Sequence, residues 1–170
     1  MRYGGKNHRI EIDVPATRLE RGLAILGLIA LIGSFAYICT QWSGLPSTVP
    51  IHFDGKGNPD GWGGKWMLFI LPVVSWLLYG GLSKLSHYPH LYNYPVPIKE
   101  ENALAQYALV KKYLAWTNLE LAFLFSYIGW ATVQTARGDA AGMGIWFLPT
   151  VLVVIFGTLA LYLIRAIKLK

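Results

Sequence analysis

Cysteine is almost missing from this chain, and charge is scarce. Cys39 stands alone inside an apolar run, so no intrachain disulfide can form and no metal centre of paired thiolates is available; it reads as inert packing. Charged residues make up 14% of the 170 residues against 54% hydrophobic, where a soluble domain carries about 25% charged residues. Internal repeats and low-complexity stretches are missing. So are the nucleophile elbow, the phosphate-cradling glycine loop, the HExxH zinc motif and the dinucleotide fingerprint. Catalysis therefore has little to stand on, and a non-enzymatic protein with no catalytic residue, no cofactor and no metal is expected. A secretory signal is not expected either, because about twenty mostly polar residues precede the first full-length apolar run.

What is present is lipid-soluble helix. The mean hydropathy is +0.40, and four apolar runs, 22–41, 66–85, 114–134 and 144–164, are each long enough to cross roughly 30 Å of hydrocarbon. Only helices satisfy their own backbone there. The expected fold is an all-α membrane protein, an up-down four-transmembrane-helix bundle with a short structured extracytoplasmic loop. It is read as one membrane domain, 1–170, with an N-terminal arm at 1–21, an outer loop at 42–65 and a cytoplasmic loop at 86–113. Of 15 Lys and Arg residues, only Lys56, Lys65 and Arg137 fall on one side of these runs. The positive-inside rule then puts both termini and the 86–113 loop in the cytoplasm of a bacterial-type plasma membrane. That asymmetry accounts for the net charge of +6 and the pI near 9.5, so no nucleic-acid partner is expected. Trp42, Trp62, Trp66, Trp130 and Trp146 cluster at the outer ends of the runs as an anchoring belt. The segment RIEIDVP before Ala16 alternates apolar and charged residues, as a short extended stretch or a mobile tail would.

The outer loop carries the most distinctive segment, LPSTVPIHFDGKGNPDGWGGKW. Pro46 and Pro50 stiffen its entry, Val49, Ile51 and Phe53 alternate with His52, and 54–61 is dense in turn formers, so a rigid cap over the bundle is expected. Leu45, Pro46, Val49, Pro50, His52, Phe53, Gly57, Pro59, Asp60 and Lys65 together resemble the hallmark of the domain of unknown function at the N-terminus of SdpI-type immunity and signalling membrane proteins. A second stretch, YNYPVPIKEENALAQY, is similar to that family's cytoplasmic motif at Asn93, Tyr94, Pro95, Val96, Ile98, Glu101, Asn102, Gln106 and Tyr107. SdpI-type proteins carry a further membrane domain beyond these motifs, which the 170 residues do not include. The resemblance implies a stand-alone four-helix member and does not by itself carry over toxin immunity.

His52 and Asp60 flank the turn and meet if the loop closes as a hairpin. A structural pairing, a ligand or partner contact with Phe53, Trp62 and Lys65, and a metal use are all open, although one imidazole and one carboxylate are too few for a closed metal site. Glu120 lies about six residues into the third run, where a carboxylate costs roughly a few kcal/mol unless it has partners or a proton. Thr117, Glu120, Leu124, Tyr127, Ala131 and Gln134 share one helical face, which is expected to point inward. Packing, ligand or proton binding, and an interfacial end are its three readings. His87 and His90, separated by Pro89, are expected to be structural or interfacial. After Pro97, residues 98–113 have a helical composition, with acids early and lysines late, and form either a surface helix or an extension of the third span.

The expected function is a non-catalytic binding, immunity-like or signalling protein that sits in the lipid bilayer and engages a peptide, a lipid or another membrane protein. The alternative is a small accessory subunit of a larger membrane complex. A proton- or metal-handling enzyme or transporter built on His52, Asp60 or Glu120 is a third, weaker reading.

Overall fold

The computed structural model describes residues 11–170, so the expectation for Arg9 and Ile10 lies outside the described residues. The described residues are mostly helical, with four α-helices and one two-stranded sheet: α1 (Arg18–Gln41), β1 (Thr48–Phe53), β2 (Pro59–Gly64), α2 (Ile70–Leu85), α3 (Glu100–Arg137) and α4 (Phe147–Lys168). Three of the helical stretches, Arg18–Gly44, Lys65–Leu85 and Phe147–Lys168, are long and apolar enough to cross a membrane. The all-α expectation is therefore corrected by the sheet, which lies within the loop read as a cap. Its alternating apolar residues and its Asp-Gly-Lys-Gly-Asn turn pair as an antiparallel hairpin, and the 42–65 segment closes on itself as strands.

Local signals explain the helix boundaries. Thr17 and Glu20 form a reciprocal cap: the Thr17 hydroxyl accepts from the Glu20 N–H (3.2 Å), and Glu20 accepts from the Thr17 N–H (2.9 Å). This starts α1 four residues before the apolar run, and Pro46 follows its end. Before it, Glu11 and Asp13 are exposed while Ile12 and Val14 are half-buried, and Lys111 donates to the Val14 carbonyl. α2 is entered through a 3₁₀ turn, Lys65–Phe69, so the regular helix begins later than expected. α3 is one unbroken helix of 38 residues, about 57 Å long; the 98–113 segment merges with the third run. Its end is set by Gly138 at φ +80°, a left-handed C-terminal stop.

α3 is the hub. It packs against α1, α2, α4 and β1, whereas α1 and α2 touch each other more lightly. Three small cores stack along it: Ile38, Leu45, Val49, Leu68 and Val133 under the hairpin; Leu31, Tyr79 and Ala122 midway; and Val110, Tyr162 and Ala166 at the far end. α1 and α2 approach closely at Gly27, where a Cβ would lie 2.8 Å from the Tyr79 ring, and the Tyr79 hydroxyl donates to the Ala24 carbonyl at 2.6 Å. Outward from these cores the helices expose Ile25, Ile29, Leu77, Val153 and Phe156, as lipid-facing surfaces do. Cys39 is exposed too, so it is not the packed residue expected of it; it sits on a side of α1 that no helix covers.

The inward face of α3 also differs from the expected stripe. Asn118, Ala122, Gly129, Ala131 and Thr132 are buried, while Glu120 and Thr117 are half-buried and Tyr127 is 38% exposed. Two helices cover the Asn118 side and one covers the Glu120 side, an imbalance that periodicity along a single helix cannot reveal.

Candidate binding site at the hairpin end

The hairpin is held from several directions. Val49 and Pro50 on β1 are buried, and Lys65 at the end of β2 donates to the Trp42 carbonyl (3.3 Å) with its ammonium 4.5 Å from the Trp42 ring centroid. That contact makes Lys65 a clamp between the hairpin and α1. In the turn, Asp54 accepts from the backbone N–H groups of Lys56 and Asn58, both at 2.8 Å, and from the Asn58 amide at 3.2 Å. The Asn58 N–H, ahead of the other contacts, holds the Asp54 carboxyl below its usual range. The Gly57 carbonyl accepts from the Met143 N–H at 2.8 Å, which ties the turn to the α3–α4 loop.

His52 Nδ1 and Asp60 Oδ1 are 2.5 Å apart. A carboxylate only accepts, so Nδ1 carries the proton and a neutral ring leaves Nε2 as an acceptor. The side chains are 71% and 47% exposed, which places the pair on the outer surface of the hairpin. Trp62 and Ile51 are exposed beside them in sequence.

Beneath the hairpin lies a cleft of about 650 Å³. His52, Phe53 and Asp54 form its rim, Met67, Leu68, Ile70 and Leu71 one wall, Ile128 and Thr132 of α3 its back, and Met143, Phe147 and Leu148 the other wall. The cleft is apolar, with a few polar groups at its rim and Thr132 at its back, the usual make-up of a ligand pocket of this size. Of the expected site residues, His52 and Phe53 line it; Asp60, Trp62 and Lys65 do not. The α3 and α4 walls were not anticipated, and their signals are faint: a polar Thr132 within an apolar run and the Gly-Met-Gly break before α4.

The polar residues expected within the third run separate. Glu120 accepts from the Thr158 hydroxyl of α4. Tyr127 donates to the Met143 carbonyl (2.9 Å) and Gln134 accepts from Tyr37 (2.9 Å), so the stripe serves three different partners. Another polar residue missed is Asn118, 7% exposed, whose amide donates to the Tyr79 carbonyl (3.2 Å) and the Ser83 hydroxyl (3.0 Å).

The second motif builds the opposite end of the bundle. Asn102 accepts from the Lys99 N–H (2.8 Å) and donates to the Pro97 carbonyl (3.1 Å), capping α3. Gln106 donates to the carbonyls of Ala166 (2.7 Å) and Leu169 (3.2 Å), satisfying acceptors that the end of α4 leaves open. Tyr94 donates to the Pro89 carbonyl at 2.8 Å, and Tyr92 donates to the Leu85 carbonyl with its hydroxyl pushed up to about 12 by burial. Glu101 pairs with Lys99 at 3.3 Å on the surface, while Asn93 and Pro95 are exposed. His87 contacts the Ser83 carbonyl (2.9 Å) and His90 meets the Tyr88 ring edge-on, so they do not converge. Among the described residues no three His, Cys, Asp or Glu side chains cluster as a metal site would require.

Residues 29–75, which run from mid-α1 through the hairpin into α2, match the family model described as Domain of unknown function (DUF1648). An archaeal relative, described as an uncharacterized protein of Archaeoglobus fulgidus, is 42% identical over 60 residues, 35% of this chain and 33% of the relative. The chain thus spans about a third of the length of the curated relative it matches. No solved structure matches.

Proposed function

We propose that this chain is a non-catalytic binding protein of the bacterial-type plasma membrane, similar to the N-terminal domain of SdpI-type proteins, and that it takes an apolar peptide segment into the cleft beneath its hairpin. It crosses the bilayer four times with both termini in the cytoplasm. The observation that carries the reading is the cleft itself: about 650 Å³ of largely apolar space roofed by a hairpin whose turn, strand and closing lysine are each tied to the bundle. A roof fixed in this way orders the site before a ligand arrives, which lowers the entropic cost of binding. Exposed His52, Asp60 and Trp62 then offer polar and aromatic contacts to the part of a peptide left outside the cleft. The motif at the cytoplasmic end closes α3 onto α4 through Gln106 and so stabilises the far end of the helices that form the cleft's back and wall.

The test is a deletion strain challenged with secreted peptides. Sensitivity to at least one peptide is expected to rise, and complementation with Leu71→Trp, which fills the cleft, is expected to fail while the wild-type gene restores resistance. Unchanged sensitivity throughout, or full rescue by the filled cleft, would sink the proposal.

A second reading, a small accessory subunit of a larger membrane complex, is favoured by α4. Tyr162 and Ala166 are its only buried residues, so much of the α4 surface away from α3 is open to lipid or to another membrane protein. Purification in a mild detergent separates the readings: a subunit co-elutes stoichiometrically with a large assembly, and a free binder does not.

A further inference from the structure

The seam between α3 and α4 holds two cavities, distinct from the cleft under the hairpin. The one toward the Gln106 end measures about 510 Å³, and Lys112, Tyr113, Thr158, Leu161, Tyr162 and Arg165 are among the residues that line it. The one toward the hairpin measures about 610 Å³ and is walled largely by aromatic and aliphatic side chains. Trp116 and Glu120 line both, so the two cavities meet at these side chains along the seam. Charge lies unevenly along it. Lys112 and Arg165 stand at one end, and among the described residues neither has an ion-pair partner. The single carboxyl on the path, Glu120, accepts the Thr158 hydroxyl, and beyond it the walls are apolar.

From Lys112 to Phe123 the helix rises about 17 Å at 1.5 Å per residue, close to the ~15 Å of hydrocarbon in one leaflet. A ligand that matches this pattern has an anionic head and an apolar tail one leaflet long. We infer that the α3–α4 seam is a binding site for an anionic phospholipid, its phosphate between Lys112 and Arg165 and an acyl chain running past Trp116 toward Phe123. The stacked Tyr113 and Tyr162 rings, 4.7 Å between centroids, form a wall behind the upper acyl chain. A zwitterionic lipid brings its own cation to this end and loses the charge match, so the site selects by net head-group charge.

The experiment reconstitutes the full chain in nanodiscs of mixed phosphatidylglycerol and phosphatidylcholine and measures co-released lipid by native mass spectrometry. Phosphatidylglycerol is expected to be retained in preference, and the K112Q/R165Q double variant to reduce that preference on the order of tenfold. Lys84→Gln, at the same end of the bundle but outside the seam, is expected to keep it. Leu161→Trp fills the cavity at the Lys112 end while keeping both cations and is expected to lose bound lipid, which keeps the test sound if the double variant folds poorly. Equal retention of the two lipids, a double variant that retains phosphatidylglycerol like the parent, or an equal loss in Lys84→Gln would overturn the inference.

Discussion

Gly57 has φ +83°, and a Cβ there would lie 2.7 Å from the Gly144 carbonyl oxygen and 2.8 Å from the Gly144 nitrogen. A side chain at this position meets both left-handed backbone strain and a wall of backbone atoms that cannot rotate away. Gly57→Ala is expected to cost about 2–4 kcal/mol, read by unfolding in detergent. Gly55→Ala in the same turn, with nothing within 4 Å, should stay within about 0.5 kcal/mol of the parent. Equal effects would remove the role assigned to the Gly57 and Met143 junction. Asp54 gives the turn a pH dependence whose sign follows from its backbone partners. Its folded-state carboxyl is held below the ordinary value of 3.8, so its contribution is fully present above that value and is lost as pH falls through the lower folded value. Protection of the Lys56 and Asn58 amides, taken relative to the intrinsic exchange rate at each pH, should fall in acid with the parent and show a flatter pH response in Asp54→Asn. The His52 and Asp60 pair is too exposed to matter as much: Asp60→Asn is expected to change stability by less than about 1 kcal/mol.

α3 is the element whose role is hardest to read from sequence. The apolar runs that became α1, α2 and α4 were legible because lipid-facing helices must be apolar on most of their surface, and their positions hold to within a few residues. α3 is wrapped by α1, α2 and α4, so it can carry Asn118, Glu120, Ser126, Thr132 and Gln134 against neighbouring helices, and it is not among the three stretches apolar enough to cross by composition. The motif residues around the hairpin were legible as a rigid loop because Gly, Pro and Asp state local geometry directly. The cleft was not, because its walls come from three helices whose mutual rotation is a tertiary fact. This hierarchy gives an ordering for polar residues on α3. Asn118→Leu removes two bonds to α2 from a 7% exposed position and should cost roughly 1–2 kcal/mol, whereas Glu120→Leu removes one contact at a half-buried position and should cost less. Glu120→Gln keeps an acceptor for Thr158 and should fold nearly as the parent does. Resistance to unfolding in mixed micelles measures all three, and the reverse order for Asn118 and Glu120 would show that α4, not α2, anchors α3.

At the scale of the whole molecule, contacts at the two ends of the bundle bear on how many times the chain crosses. The hairpin and the α3–α4 loop share one end through Gly57 and Met143, and the start of α3 shares the other with the end of α4 through Gln106. α2 ends beside Lys111 and Asn118 of α3, and α4 begins beside Tyr127, so α3 outruns its neighbours at both ends. If α1, α2 and α4 span the bilayer, α3 must return between the same two ends, so an odd number of crossings is incompatible with these contacts. The proposed direction rests on the positive-inside rule, because among the described residues Lys56, Lys65 and Arg137 are the Lys and Arg residues toward the hairpin end. Single cysteines introduced at Lys56, Lys99 and Lys168 in a Cys39→Ser background test both statements with a membrane-impermeant thiol reagent. Lys56→Cys should react in intact cells, and Lys99→Cys and Lys168→Cys only after the membrane is opened. Labelling of Lys56→Cys and Lys168→Cys from the same side would break the four-crossing arrangement. A full inversion would keep the proposed four crossings and overturn the charge argument alone, because the proposed number of passes rests on helix packing and their proposed direction on the loop cations.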